Sequence, residues 1–234
     1  MLVENWMNRN ISLIDEEQSL LMAKNLFKKH GVQVLPVVSE GKLVGVITEG
    51  DIKRASGSEA TTLEPHEILY LIDQIKVKEI MNPKVVTVPF DFTIEETAEV
   101  LLERDISGAP VVDSEGRVIG TISQKDLFRV LITLAGLMKK GVKFAFQVED
   151  RPGTIMNLEN VIRKYNGRIT SILSSYGGVP KGYRNIFIRT YGIDRKRLAQ
   201  LKEDLQKKAT LLYVIDRREN TRDIYFRQKS ESSI

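Results

Sequence analysis

Residues 45–51 read GVITEGD and residues 120–126 read GTISQKD, and this pair constrains the fold more than any other stretch of the chain. Each copy sets a hydroxyl (Thr48, Ser123) three residues after a glycine and a carboxylate (Asp51, Asp126) three residues after the hydroxyl. Shifting the chain by 74 residues lays Met7-Asn8 on Met81-Asn82, Leu20 on Ile94, Leu26 on Val100 and Pro36-Val37-Val38 on Pro110-Val111-Val112. The next turn gains one residue in the second copy, so the shift becomes 75 for Gly45, Thr48 and Asp51. An internal repeat of this kind sets the architecture before any local reading does. One copy alone buries little core, so the two are expected to pack together as one pseudo-twofold unit.

Each copy reads as β-α-β-β-α. Ile11–Ile14 and Val85–Val88 are short extended stretches, and Asp15 and Asp91-Phe92-Thr93 offer helix starts. Leu20, Leu21, Ala23, Leu26 and Phe27 follow at helical spacing, and His30-Gly31 closes that helix. Val34–Val38 and Leu43–Ile47 flank a glycine-bearing turn as a hairpin, and Asp51 and Asp126 lie where second helices open. Between the copies, residues 56–64 are polar and loop-like, and Pro65 begins a helical stretch to Ile75.

In the heptads, glycine lets a backbone come close to a ligand. The hydroxyl can bond a phosphate oxygen, and the carboxylate can accept both vicinal hydroxyls of a ribose. The plainer reading is that Asp51 and Asp126 cap helices, as aspartate often does. The proline-Val-Val strand followed by Gly-x-x-Thr/Ser-x-x-Asp resembles the CBS domain, and the pair resembles the tandem CBS, or Bateman, module over roughly residues 1–135. That resemblance implies adenosyl compounds bound in clefts between the copies, with Asp51 and Asp126 on ribose and Thr48 and Ser123 on the phosphate side. It implies adenine-pocket walls from Asn10 and Ile11 with Val34, Leu35 and Pro36, and from Lys84 and Val85 with Gly108, Ala109 and Pro110. Lys53, Arg54, Lys125 and Arg129 are candidates for neutralising phosphates. The regulatory ligand would be AMP, ADP, ATP or S-adenosylmethionine, with no further cofactor.

The C-terminal third has another grammar. Lys143–Val148 alternates as a half-buried strand and runs into the tight turn Glu149-Asp150-Arg151-Pro152-Gly153. Thr154–Tyr165 and Ile193–Ala209 read as helices, the second with a Leu198-Leu201-Leu205 stripe, and Arg168–Ser175, Asn185–Thr190 and Leu211–Ile215 read as strands. The order β-α-β-β-α-β is that of the ferredoxin-like fold. The strand followed by Asp-x-Pro-Gly and a helix resembles an ACT domain, and tandem CBS followed by ACT is the layout of acetoin-utilisation proteins of the AcuB type. The ACT resemblance implies edge-to-edge pairing and a small effector, often an amino acid, at Asp150, Arg151, Pro152 and Gly153, with Asn157 one turn into the helix. Exposed amides at a helix start suit a carboxylate. Arg151 departs from the small or apolar residue expected between Asp and Pro, which leaves the ligand open.

The expected fold class is α+β, with the resemblances implying CBS repeats over 1–56 and 78–135, a helical connector over 57–77, an ACT domain over 141–216 and a polar tail over 217–234. There is no cysteine, which removes disulfides, thiol nucleophiles and cysteine metal sites. The two histidines, His30 and His66, have no metal-type spacing, no Walker loop is present, and no nucleophile–base set converges, so no catalytic residue is assigned. No apolar run approaches the roughly 20 residues of a membrane span. MLVENWMNRN does not read as a signal peptide, and a cytoplasmic location is the expectation. The net charge of +4 is uneven, with 19 Lys and Arg against 10 Asp and Glu from Gly141 onward and 16 against 21 before it. Charges spread over helix faces mostly solvate a surface, so nucleic acid is disfavoured as a partner. Trp6 reads as a packing or dimer-contact residue. The expectation is a non-catalytic homodimeric sensor acting on a regulated enzyme in acetoin, carbon or energy metabolism; the rival is a scaffold whose basic third contacts nucleic acid or an enzyme.

Overall fold

The computed structural model describes residues 1–57 and 65–226. The loop expected over 56–64 and the tail beyond residue 226 lie largely outside that range, and nothing is described of the His66 side chain. The chain divides into two compact units, Met1–Val130 and Leu131–Ile234.

The first unit is built twice over. Its first copy runs β1 (Ile14–Asp15), α1 (Leu20–His30), β2 (Val34–Ser39), β3 (Lys42–Thr48) and α2 (Glu49–Gly57). After α3 (Pro65–Gln74) and α4 (Val77–Ile80), the second copy runs β4 (Val88–Pro89), α5 (Ile94–Glu103), β5 (Gly108–Val112), β6 (Val118–Ser123) and α6 (Gln124–Leu134). Each copy forms a three-stranded sheet, β1-β2-β3 or β4-β5-β6, with the first pair parallel and the second antiparallel. The opening strands are shorter than the sequence suggests, and α1 starts later. Asp15 belongs to β1, where its carboxylate accepts the Glu17 amide at 2.9 Å in a turn. Ser19 caps α1 instead, accepting from the Met22 amide at 3.2 Å. Gly31 ends that helix in the left-handed region, at φ 61°.

Thr93 starts α5 with a reciprocal capping box: the Thr93 amide donates to Glu96 at 2.7 Å, and the Glu96 amide donates to the Thr93 hydroxyl at 3.1 Å. The Thr93 amide and then its hydroxyl hold the Glu96 carboxyl below the usual carboxylate range. A carboxyl lowered on folding stabilises the fold above its unfolded value, and that stabilisation disappears as pH falls through the folded value. Wild type is therefore expected to exceed Glu96→Gln in urea stability at neutral pH, with the gap closing in acid. A gap that persists in acid would refute the assignment.

Each core is completed by the other copy's leading segment. Val3 and Met7 are buried with Val88, Leu101 and Ile122 of the second copy, whereas Val77 is buried with Leu20, Val37 and Ile47 of the first. The Asn8 amide donates to Thr121 at 2.8 Å and the Thr121 amide returns to Asn8 at 3.1 Å; Val46 and Asn82 exchange the corresponding bonds at 3.1 and 2.9 Å. This exchange explains the glycines of the repeat. A Cβ at Gly45 would collide with the Met81 sulfur, and one at Gly120 would lie 2.9 Å from the Asn8 carbonyl oxygen. The two glycines thus admit the exchanged segment rather than the ligand suggested by the sequence. β2 and β5 face each other across the pseudo-twofold, where a Cβ on Gly108 would stand 2.7 Å from a Val34 methyl.

The second unit runs β7 (Val142–Glu149), α7 (Thr154–Lys164), β8 (Arg168–Ser175), β9 (Tyr183–Tyr191), α8 (Leu198–Gln206), β10 (Thr210–Asp216) and β11 (Thr221–Ile224). The sheet is antiparallel with order β11-β10-β7-β9-β8, and its first four strands in sequence follow the ferredoxin-like arrangement. Phe144 and Phe146 of β7 are fully buried against Leu158 and Ile162 of α7 and Leu201 and Leu205 of α8. Each such side chain contributes about 1.5–3 kcal/mol of burial. A short 3-10 turn (Arg195–Arg197) precedes α8, and β11 adds a fifth strand inside the segment that reads as tail. Among the described residues, no helix is long and apolar enough to cross a membrane.

Candidate functional site

Both heptads place their hydroxyl at the end of a strand and their carboxylate in the first turn of the following helix. The Thr48 amide and hydroxyl donate to Oδ2 of Asp51 at 2.7 and 2.6 Å. The Ser123 amide and hydroxyl donate to Oδ2 of Asp126 at 3.0 and 2.6 Å. The other oxygen of each carboxylate pairs with an arginine one turn on: Arg54 on Asp51, and Arg129 on Asp126 at 2.8 Å. The capping geometry anticipated from the sequence is therefore present in both copies. It engages one oxygen and leaves the other to an arginine whose side chain is 75% or 61% exposed. An ion pair that exposed contributes about 0–1 kcal/mol, so a ligand can displace it.

The heptads open into two clefts, each made by both copies. Ser123 and Asp126 line a cavity of about 320 Å3 with His30–Val34 of the first copy across from them. Thr48 and Asp51 line one of about 510 Å3 with 105–108 of the second copy opposite. Volumes of this size fall in the small-ligand range or at its lower edge. Asn8 lines the first cleft and Asn82 the second, brought there by the exchanged segments.

Of the wall residues that the CBS resemblance implies, Val34 lines the Asp126 cleft and Gly108 the Asp51 cleft. Leu35 and Ala109 instead point into the cores of their own copies, because successive side chains of a strand alternate between faces. Pro36 and Pro110 are buried one residue further along. Asn10, Ile11 and Lys84 are exposed and Val85 is half-buried, and the lining position falls two residues earlier, at Asn8 and Asn82. These asparagines accept from the amides of Asn10 and Lys84 at 3.0 and 2.9 Å, which turns the chain away from the cleft. Lys53 and Arg54 line the Asp51 cleft, and Lys125 and Arg129 the Asp126 cleft. Asn8, Asn82, Glu49, the 30–33 stretch and the 105–107 stretch also line the clefts, without having been expected there from the sequence. The Met-Asn pair recurring at the 74-residue shift was the signal for the asparagines. Trp6 is half-buried against the second core and also reaches the Asp126 cleft.

In the second unit, Asp150, Arg151, Pro152 and Gly153 line a concavity of about 700 Å3 with Ile155, Met156, Glu159 and Arg184. Gly153, at φ 82°, turns the chain into α7, where Thr154 donates its hydroxyl to the Arg151 carbonyl at 2.9 Å. Asn157 is exposed and outside that lining. Arg184, not foreseen from the sequence, arrives from β9 opposite Val148 and pairs with Asp150 at 3.3 Å.

The sequence pattern of the CBS domain family matches residues 3–58 and 77–133. A homoserine O-acetyltransferase of Methanococcus vannielii is 35% identical over 127 residues, covering 54% of this chain. The chain spans only about a quarter (24%) of that relative's length. The uncharacterised protein MJ1426 of Methanocaldococcus jannaschii is 30% identical over 155 residues, covering 56% of this chain and 92% of that protein. Among solved structures, the CBS domain pair of protein MJ0100 in complex with 5-methylthioadenosine and S-adenosyl-L-methionine is 29% identical, with a TM-score of 0.47 over 59% of this chain and 98% of that one. The chain belongs to the CBS domain family, and its first unit carries the two CBS copies as a tandem pair.

Proposed function

We propose that the chain is a non-catalytic regulatory sensor that binds an adenine nucleotide or another adenosyl compound in the clefts of its CBS pair. One observation carries this reading: in both copies a carboxylate keeps one oxygen on a helix cap and offers the other, through a displaceable arginine, to a cleft walled by the opposite copy. Ribose hydroxyls can take that oxygen while the neighbouring arginine meets a phosphate. A ligand seated so holds both copies at once, which is how occupancy would bias the pair's geometry.

The second unit supports a further reading as an ACT domain through its β-α-β-β-α-β order and its Asp150–Gly153 turn at the start of α7. An amino acid or similar metabolite would place its carboxylate by Arg151 or Arg184 and its ammonium group by Asp150 or Glu159. In this proposal the protein works in the cytoplasm as a homodimer on a regulated enzyme, with acetoin use or carbon and energy metabolism as the setting.

Calorimetry of the full chain with AMP, ADP, ATP and S-adenosylmethionine tests the sensor reading. Saturable binding of at least one is expected, weakened roughly tenfold or more by Asp51→Ala or Asp126→Ala, since a hydrogen bond to a charged group contributes about 1.5–3 kcal/mol. Absence of binding by all four would refute it and favour a scaffold.

A further inference from the structure

We infer that the two CBS clefts are sorted by charge: the Asp126 cleft takes a phosphate-bearing adenine nucleotide, and the Asp51 cleft takes an adenosyl compound without phosphate, neutral or cationic at its 5′ end. This rests on the sensor reading above and assigns the ligand class of each cleft.

The two clefts are equivalent by the repeat, so their differences can be compared position by position. Each holds one Asp–Arg pair, Asp126 with Arg129 or Asp51 with Arg54, and these cancel. Beyond that pair, the Asp126 cleft is lined by Lys125, with the His30 imidazole as an added polar group, and by no further carboxylate among the described residues. The Asp51 cleft is lined by Lys53 but also by Glu49 and Asp105. Among the described residues, the lining Lys, Arg, Asp and Glu of the first cleft are two cations and one carboxylate, a net +1, and those of the second two cations and three carboxylates, a net −1. Three repeat positions produce the contrast. Lys125 stands where the first copy has Gly50, Glu49 where the second has Gln124, and Asp105 where the first has Gly31. The single change in the opposite sense, Lys53 in place of Phe128, only partly offsets them.

A phosphate dianion entering the Asp51 cleft meets two carboxylates beyond the ribose-binding one. In the Asp126 cleft it meets an unopposed lysine next to the arginine that ribose displaces. Charges several ångströms apart in a partly screened cleft alter affinity by about tenfold for each reversal of sign. The sulfonium and ammonium groups of S-adenosylmethionine prefer the opposite arrangement.

Calorimetry of the full chain with AMP, with S-adenosylmethionine and with adenosine as the uncharged comparator tests the sorting. Asp126→Ala is expected to remove AMP binding and spare S-adenosylmethionine, with Asp51→Ala doing the reverse. Because both aspartates also cap helices, exposed charge variants provide an independent arm. Lys125→Glu should weaken AMP about tenfold and leave S-adenosylmethionine unchanged. Glu49→Gln with Asp105→Asn should weaken S-adenosylmethionine and leave AMP unchanged. Asparagine is chosen at 105 because that residue has φ 50°, a conformation asparagine tolerates. In the wild type, AMP affinity should fall with ionic strength while adenosine affinity stays level. If AMP and S-adenosylmethionine compete for one cleft, or the charge variants shift both alike, the sorting is wrong while the sensor reading stands. If no adenosyl compound binds, both fall together.

Discussion

Val3→Asp is expected to unravel the second CBS copy, although residue 3 belongs to the first copy in sequence. Val3 is fully buried among Val88, Leu101 and Ile122, and its amide donates to Phe92 at 2.8 Å. A carboxylate there has no partner and must either be buried charged or expel the segment, at a cost upwards of about 3 kcal/mol. Hydrogen exchange should show the amides of β4, β5 and β6 losing protection before those of β1, β2 and β3. Val77→Asp should give the mirror image, because Val77 sits in the first core. If Val3→Asp opened β1–β3 first, the exchange of leading segments would be refuted.

Asp216→Ala should be nearly as damaging in the second unit. Its side chain is 1% exposed, 2.9 Å from Nε of Arg195, and it accepts the Arg218 amide at 2.9 Å. One carboxylate thereby ties the start of α8, the end of β10 and the turn into β11. Removing it leaves a largely buried guanidinium without its counter-charge, a loss of about 3–5 kcal/mol. Urea unfolding of the full chain should report that loss, and the β11 amides should exchange fastest. Asp216→Asn keeps an oxygen for the turn amides and should cost less. Equal losses for both variants would show that the charge contributes nothing.

The parts of this fold legible in the sequence were those held by local pattern. The α7 and α8 stripes, the Phe144 and Phe146 face of β7 and the Asp150–Gly153 turn needed only periodicity and turn chemistry, and all appear where the spacing placed them. What stayed hidden was non-local. Nothing between Val3 and Asn8 says that these residues pair with Thr121 rather than with their own hairpin, so the reason for Gly45 and Gly120 could not be read. The strand β11 was missed because Thr221–Ile224 covers little apolar surface, and its pairing to β10 comes from backbone bonds and the Asp216 turn. In the clefts, the heptad aspartates were legible because two copies carried them. His30–Gln33 and 105–107 were not, because a loop facing the opposite copy leaves no periodic trace.

The exchanged leading segments carry a consequence for ancestry. As arranged here, a chain with one repeat has no segment placed to seal its own interior; it must borrow one from another chain and lend its own in return. Two such chains make a closed, reciprocal couple, with stability that depends on how often they meet. Joining them end to end turns a concentration-dependent partnership into a property of a single molecule. Gene duplication then has no new interface to invent, because the hybrid interiors and two-sided clefts would already exist in the couple. The two halves of such a molecule are free to differ one residue at a time, as Lys125 and Gly50 do here.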